Sequence, residues 1–264
     1  MDIVVVGVNY RLSAFGFLQL PFVEDGEITN ANWGLQDQQK ALDWVYANIE
    51  NFGGDKDRIT VAGQSAGGVS TTFHHTNEHS SKMIKNVIVQ SNPLAIGLKE
   101  NWEGMLQAAH MGRASGCLNA DPECLRKISW QDLAELAKHE TPVWDFEYSA
   151  IESRLQFKTL FPRRFIVFWV PSLAVINNDH ILQAAMPYGP IIDNVIIKEQ
   201  PLDALRNVNY NKDINVMTGF TQHETELFVR SVAHERIGTV AYRALYRAIL
   251  KVKKSYHTRV LSLK

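Results

Sequence analysis

The tightest constraint on this chain lies where an apolar, β-branched run, Ile59-Thr60-Val61-Ala62, leads directly into Gly63-Gln64-Ser65-Ala66-Gly67-Gly68. A lone serine with a glycine two residues to either side is the pattern of a strand that turns sharply into a helix, with the serine at the bend. A serine hydroxyl is a useful nucleophile only when it stands clear of the backbone, and such a bend thrusts it out. Gly63 and Gly67 are expected to remove side chains that would collide where strand and helix cross. Gln64 and Gly68 complete the elbow. Ala66 follows the serine, so its backbone N–H is placed to donate to an oxyanion forming at an attacked carbonyl. The flanks agree: Asp57 to Ala62 reads as a short buried strand and Val69 to His75 as the continuing helix. The bland alternative is a structural Gly-Ser turn with no chemistry.

Strand-like runs at Ile3 to Asn9, Arg58 to Ala62, Lys85 to Gln90, Ile191 to Ile197 and Asp213 to Gly219 alternate with helical stretches. That alternation predicts an α/β fold with a mostly parallel central sheet flanked by helices. Between Trp33 and Phe52, the apolar residues Leu35, Ala41, Leu42, Trp44, Val45 and Ile49 recur every three or four positions. They predict an amphipathic helix packed on the sheet, with Asp37, Gln38 and Lys40 mostly off the apolar stripe. Helical segments near Trp102 to Ser115, Pro122 to Lys127 and Gln131 to His139 predict a cap. Residues 153–178, which include Arg163-Arg164-Phe165-Ile166-Val167-Phe168-Trp169, follow neither period and read either as a hydrophobic cap segment or as an atypical insertion.

A net charge of -1 with 45% hydrophobic residues argues against binding to nucleic acid or a membrane surface. The longest apolar run, Phe165 to Val170, is too short to cross a membrane and is interrupted by Pro171. The spacing of Cys117 and Cys124 fits no zinc or CxxC redox pattern, and the chemistry of an activated serine needs no metal or organic cofactor. The two cysteines, Cys117 and Cys124, bracket a polar, turn-rich loop. A loop disulfide would suit an oxidising compartment; two unpaired thiols are the alternative. The amino terminus opens at once on a β-branched run with no signal-peptide pattern, which leads us to expect a fragment.

Four strings in order resemble the type-B carboxylesterases, the group of cholinesterases and juvenile hormone esterases within the α/β-hydrolase fold. They are Asn9-Tyr10-Arg11-Leu12 with Gly16-Phe17-Leu18; Asn32-Trp33-Gly34-Leu35-Gln36-Asp37-Gln38; Asn48-Ile49 with Phe52-Gly53-Gly54-Asp55; and Gly63 to Gly68. Further matches are Gln90-Ser91, Cys124-Leu125-Arg126 and Tyr188-Gly189-Pro190-Ile191-Ile192-Asp193, after which Asn194 stands where glycine is usual. The resemblance implies one partial α/β-hydrolase domain over residues 1–264, incomplete at both ends, with helical cap segments and a possible insertion at 153–178.

The resemblance also implies a serine, glutamate and histidine triad, in that chain order. Gly219-Phe220-Thr221-Gln222-His223-Glu224-Thr225-Glu226-Leu227-Phe228 is similar to the family's acid segment and puts Glu224 on the triad acid, with Glu226 its neighbour and competitor. Of nine histidines only His234 and His257 follow Glu224, and neither sits in a string like the family's histidine loop; His74 and His75 lie too far along the elbow helix. The family's glycine-rich oxyanion loop has no counterpart here. The implied parent protein hydrolyses small-molecule carboxylic esters through an acyl-enzyme, is secreted or ER-luminal, and is far more active than this chain alone. A non-catalytic binding or adhesion homologue, or a truncated product without function, is the rival reading.

Overall fold

The computed structural model describes residues 3–20, 31–94, 96–139 and 188–224. The chain divides into two compact units, residues 1–142 with 185–220, and residues 143–184 with 221–264. In the first, three parallel strands form a sheet in the order β1 (Thr60–Gln64), β2 (Asn86–Gln90), β3 (Asn215–Gly219). The register pairs Gln64 with Gln90 and Gln90 with Gly219, so the three strands end level. The helices are α1 (Ser13–Phe17), α2 (Trp33–Asn48), α3 (Ala66–Thr76), α4 (Asn101–Ser115), α5 (Pro122–Leu125), α6 (Trp130–His139) and α7 (Pro201–Arg206). Parallel neighbours need crossovers, and α3 lies in the one from β1 to β2 and α4 to α7 in the one from β2 to β3, while α1 and α2 precede the sheet.

Apolar periodicity explains the packing. Leu42 of α2 meets Val87 and Val89 of β2 with Ile84 and Ile214, which covers one face of the sheet. Leu35, two turns earlier on α2, joins Phe17 of α1, Phe73 of α3, Leu98 and Ile192. A third cluster gathers Leu18, Met111 of α4, Cys117, Leu125 and Ala137. Cys117 and Cys124 form the disulfide, with Cα atoms 5.6 Å apart, and so close the loop that carries α5. At the start of α4, Glu100 and Glu103 make a reciprocal capping box. The three helical segments expected near Trp102, Pro122 and Gln131 all form as helices.

Several expectations need correction. Ile3 to Asn9 pairs with no strand among the described residues, and Val5 is 87% exposed. A β-branched run favours the extended backbone, yet a strand exists only where a neighbour offers its ladder. Ile191 to Ile197 is not a strand either: Ile191 makes one isolated bridge to Lys99, and the chain then turns. The turn wins because Asp193 Oδ1 accepts the N–H groups of Val195, Ile196 and Ile197, each at 3.0 Å, which a ladder would otherwise claim. β1 alternates exposed and half-exposed residues rather than being buried, since it lies at one edge of the described sheet. Gln38 sits on the buried side of α2, not off it, while Trp44 is exposed and leans on Phe52. Residues 153–178 lie outside the described residues.

Candidate active site

Strand, bend and helix meet at Ser65 as the spacing requires. β1 ends at Gln64, α3 begins at Ala66, and Ser65 between them has φ 54° and ψ -115°, outside the regions that L-residues ordinarily occupy. Holding such a conformation costs about 1–3 kcal/mol and persists only where surrounding structure fixes it. Two backbone hydrogen bonds do so: the Ser65 N–H donates to Gln90 O at 2.9 Å, and its carbonyl accepts from Val69 N–H at 3.0 Å. Ser65 is half-buried and Ala66 exposed. Among the described residues no group hydrogen-bonds the Ser65 hydroxyl.

The two glycines of the motif do different jobs. A Cβ on Gly63 would lie 2.0 Å from Gly67 O and 2.8 Å from Thr71 Oγ1, so strand and helix touch backbone to backbone there. Among the described residues, a Cβ on Gly67 would meet nothing within 4 Å. Gly67 was expected to relieve a clash of its own; instead its main chain is what Gly63 must avoid. The second crowded glycine is Gly68, whose Cβ would stand 3.1 Å from Gln90 O and 3.2 Å from Asn92 Cβ. Ala66 and Gly67, in the first turn of α3, have N–H groups with no intrahelical acceptor, and the positive end of the helix dipole lies there too. An oxygen that acquires negative charge beside Ser65 would find both.

The histidines of α3 are structural. His74 is buried, its Nε2 donating to Gln38 Oε1 at 3.1 Å and its Nδ1 accepting from Ser80 Oγ at 3.0 Å. Gln38 in turn donates to Ser70 Oγ, which turns its amide oxygen toward the ring and so places the proton of the neutral imidazole on Nε2. Burial pushes the His74 pKa down to about 4. His75 Nε2 bonds Asn211 O at 3.1 Å beside the Tyr210 ring, and burial lowers its pKa as well. Neither ring is free to serve Ser65. His234, His257 and Glu226 lie outside the described residues.

In the second unit, Glu224 is half-buried and its Oε1 accepts the backbone N–H of Thr221 in its own turn. That is an ordinary way for a carboxylate to cap a turn and leaves its other oxygen to other partners.

Two contacts that spacing did not reveal join the motif strings. Asn32, with φ 61°, is wholly buried: its Nδ2 donates to Ile191 O at 2.8 Å and Asp193 Oδ2 at 3.0 Å, while its Oδ1 accepts from Ile191 N–H at 2.9 Å. Arg11 grips Asp37 through Nε and a terminal nitrogen, at 2.8 and 2.7 Å, and this hydrogen-bonded guanidinium holds the Asp37 pKa below its ordinary value. Asn194 has φ 60°, which accounts for a glycine being usual there. A groove of about 1370 Å³ lies between α2, α3 and residues 195–211, lined among others by Val69, Phe73, Asn77 and Tyr210. Neither Ser65 nor Ala66 lines it.

Among the described residues no helix is long and apolar enough to cross a membrane. The model of the carboxylesterase family matches residues 1–261. The cAMP-regulated D2 protein of Dictyostelium discoideum is 30% identical over 92% of this chain and 38% of its own length. Juvenile hormone esterase of Tribolium castaneum is 31% identical over 80% of the chain and 37% of that protein. Among solved structures, a Geobacillus stearothermophilus carboxylesterase superposes with a TM-score of 0.62 at 27% identity, over 84% of this chain and 39% of the other. The chain thus spans about two fifths of these relatives. Its parallel sheet flanked by helices is that of the α/β-hydrolase fold, and the chain belongs to the carboxylesterase family.

Proposed function

We propose that the protein containing this chain hydrolyses small-molecule carboxylic esters through an acyl-enzyme on Ser65. The observation that carries this reading is the positive φ of Ser65 at a strand-to-helix bend in a chain of the carboxylesterase family. Ser65 Oγ attacks the ester carbonyl as its proton passes to a histidine base, the Ala66 N–H stabilises the tetrahedral oxyanion, and alcohol leaves. Water then releases the acid by the same route. Glu224 is the acid that would orient and stabilise the imidazolium. The Cys117–Cys124 disulfide favours an oxidising compartment, such as the ER lumen or the cell exterior.

The 264 residues alone are proposed to turn over esters weakly or not at all. None of their nine histidines stands in a string like the family's histidine loop, and no glycine-rich string accompanies Ser65 as a second oxyanion donor. Hydrolysis of p-nitrophenyl butyrate tests both parts. The full-length protein should turn it over with kcat falling at least about 1,000-fold in Ser65→Ala; the isolated chain should turn it over weakly or not at all. Full-length activity indifferent to Ser65 contradicts the first part, and ordinary esterase rates from the isolated chain contradict the second.

A further inference from the structure

The residue that follows Ser91 is asparagine, and it is nearly sealed from solvent, 3% exposed. Ser91 has φ 50°, a left-handed turn that takes the chain off the end of β2 and back over α3. Asn92 Nδ2 then donates twice into the first turns of that helix, to Gly68 O at 3.1 Å and to Thr72 Oγ1 at 2.6 Å. Thr72 Oγ1 itself donates to Gly68 O at 3.0 Å, so amide, hydroxyl and carbonyl close a buried triangle. The closeness of approach rests on Gly68, because a Cβ there would press on both Gln90 O and Asn92 Cβ.

The short stretch from Gln90 to Asn92 therefore grips both sides of the bend. Gln90 O holds the N–H of Ser65, and the Asn92 amide holds the carbonyl of Gly68, three residues on. Between these two anchored points lie Ala66 and Gly67. Their N–H groups are the donors an oxyanion would use, and they have no intrahelical acceptor that would fix their direction.

Resting on the reading of Ser65 as nucleophile, we infer that Asn92 is a positioning residue for acyl transfer: it locks the first turn of α3 against β2 and so fixes where Ser65 and the Ala66 N–H stand. The Asn92 Oδ1 atom is buried with no partner among the described residues. Residue 92 is thus set by its two donor contacts. Asp at this position keeps the size but offers acceptors alone to Gly68 O, an acceptor itself.

The test uses the full-length protein, with p-nitrophenyl butyrate turnover and the rate of covalent labelling by a fluorophosphonate. Asn92→Ala and Asn92→Asp should each lower kcat and the labelling rate by about 10- to 100-fold, the loss that a misplacement near 1 Å produces, with KM changed less than about threefold. Thr72→Val removes one partner of the Asn92 amide and should show a smaller loss that does not add to that of Asn92→Ala. If the Asn92 variants do not fold, Thr72→Val alone still decides: a lowered kcat at unchanged KM supports the inference, and wild-type kinetics overturn it. Wild-type kinetics in folded Asn92→Ala likewise overturn it. Wild-type protein that neither labels nor turns over ester at Ser65 would instead overturn the functional reading beneath it.

Discussion

Gly63 and Gly67 touch through backbone: a Cβ on Gly63 would stand 2.0 Å from the carbonyl oxygen of Gly67. The bend at Ser65 is therefore built by an approach of strand to helix that no other residue at 63 allows. Gly63→Ala should cost at least about 3 kcal/mol, because the colliding atoms are main chain and cannot rotate away. Gly67→Ala should be neutral or stabilising by up to about 1 kcal/mol, since its Cβ meets nothing among the described residues and alanine favours the helix. Urea midpoints of the two variants check this asymmetry; equal losses would contradict it.

Asp193→Asn tests the bond between the second motif and the turn after Ile191. The carboxylate accepts three N–H groups on Oδ1 and the Asn32 amide on Oδ2. An amide would turn a donor toward Asn32 or toward the three N–H groups, and a loss of about 2–3 kcal/mol is expected. Asn194→Val should cost about 1–2 kcal/mol through its positive φ, whereas Asn194→Gly should be nearly neutral. Chemical denaturation of the three variants gives the order directly.

Acid should destabilise the protein through His74. Its ordinary pKa of 6.5 falls to about 4 on burial, so the unfolded chain binds a proton that the folded chain refuses between those values. Stability is full above about pH 6.5 and declines as pH falls toward 4, by on the order of 2 kcal/mol at pH 5. Burial of His75 acts in the same direction. Urea unfolding at about pH 7.5 and pH 5 should show this drop in wild type and a smaller one in His74→Gln; equal drops would assign the acid sensitivity elsewhere.

Reducing the Cys117–Cys124 bridge should lower stability by about 2–2.5 kcal/mol, the chain-entropy value for a loop with a sequence separation of 7. Unfolding curves with and without reductant, alongside a Cys117→Ser, Cys124→Ser double variant that reductant should leave unmoved, provide the check.

What the sequence revealed was local. The strand, bend and helix around Ser65, the helix from Trp33 and the helices after Asn101 each follow from spacing within one segment. The disulfide was one of two alternatives that spacing left open. Misreadings arose where a segment's fate depends on a distant partner. Ile3 to Asn9 has the composition of a strand but no ladder among the described residues, and Ile191 to Ile197 surrendered its N–H groups to Asp193. Gln38 looked solvent-facing because helical periodicity does not register a histidine waiting in α3. The separate roles of Gly63, Gly67 and Gly68 were likewise invisible, since each depends on which atoms of another segment come within 4 Å. The grip of Asn92 on Gly68 spans 24 residues and left no mark in the spacing.

The most direct test of the account is to expose the native full-length protein to a fluorophosphonate and map the modified residue by peptide mass. One phosphonylated side chain, Ser65, is expected in folded protein and none after unfolding in urea. A folded protein that takes no label, or takes it on another serine, would contradict it.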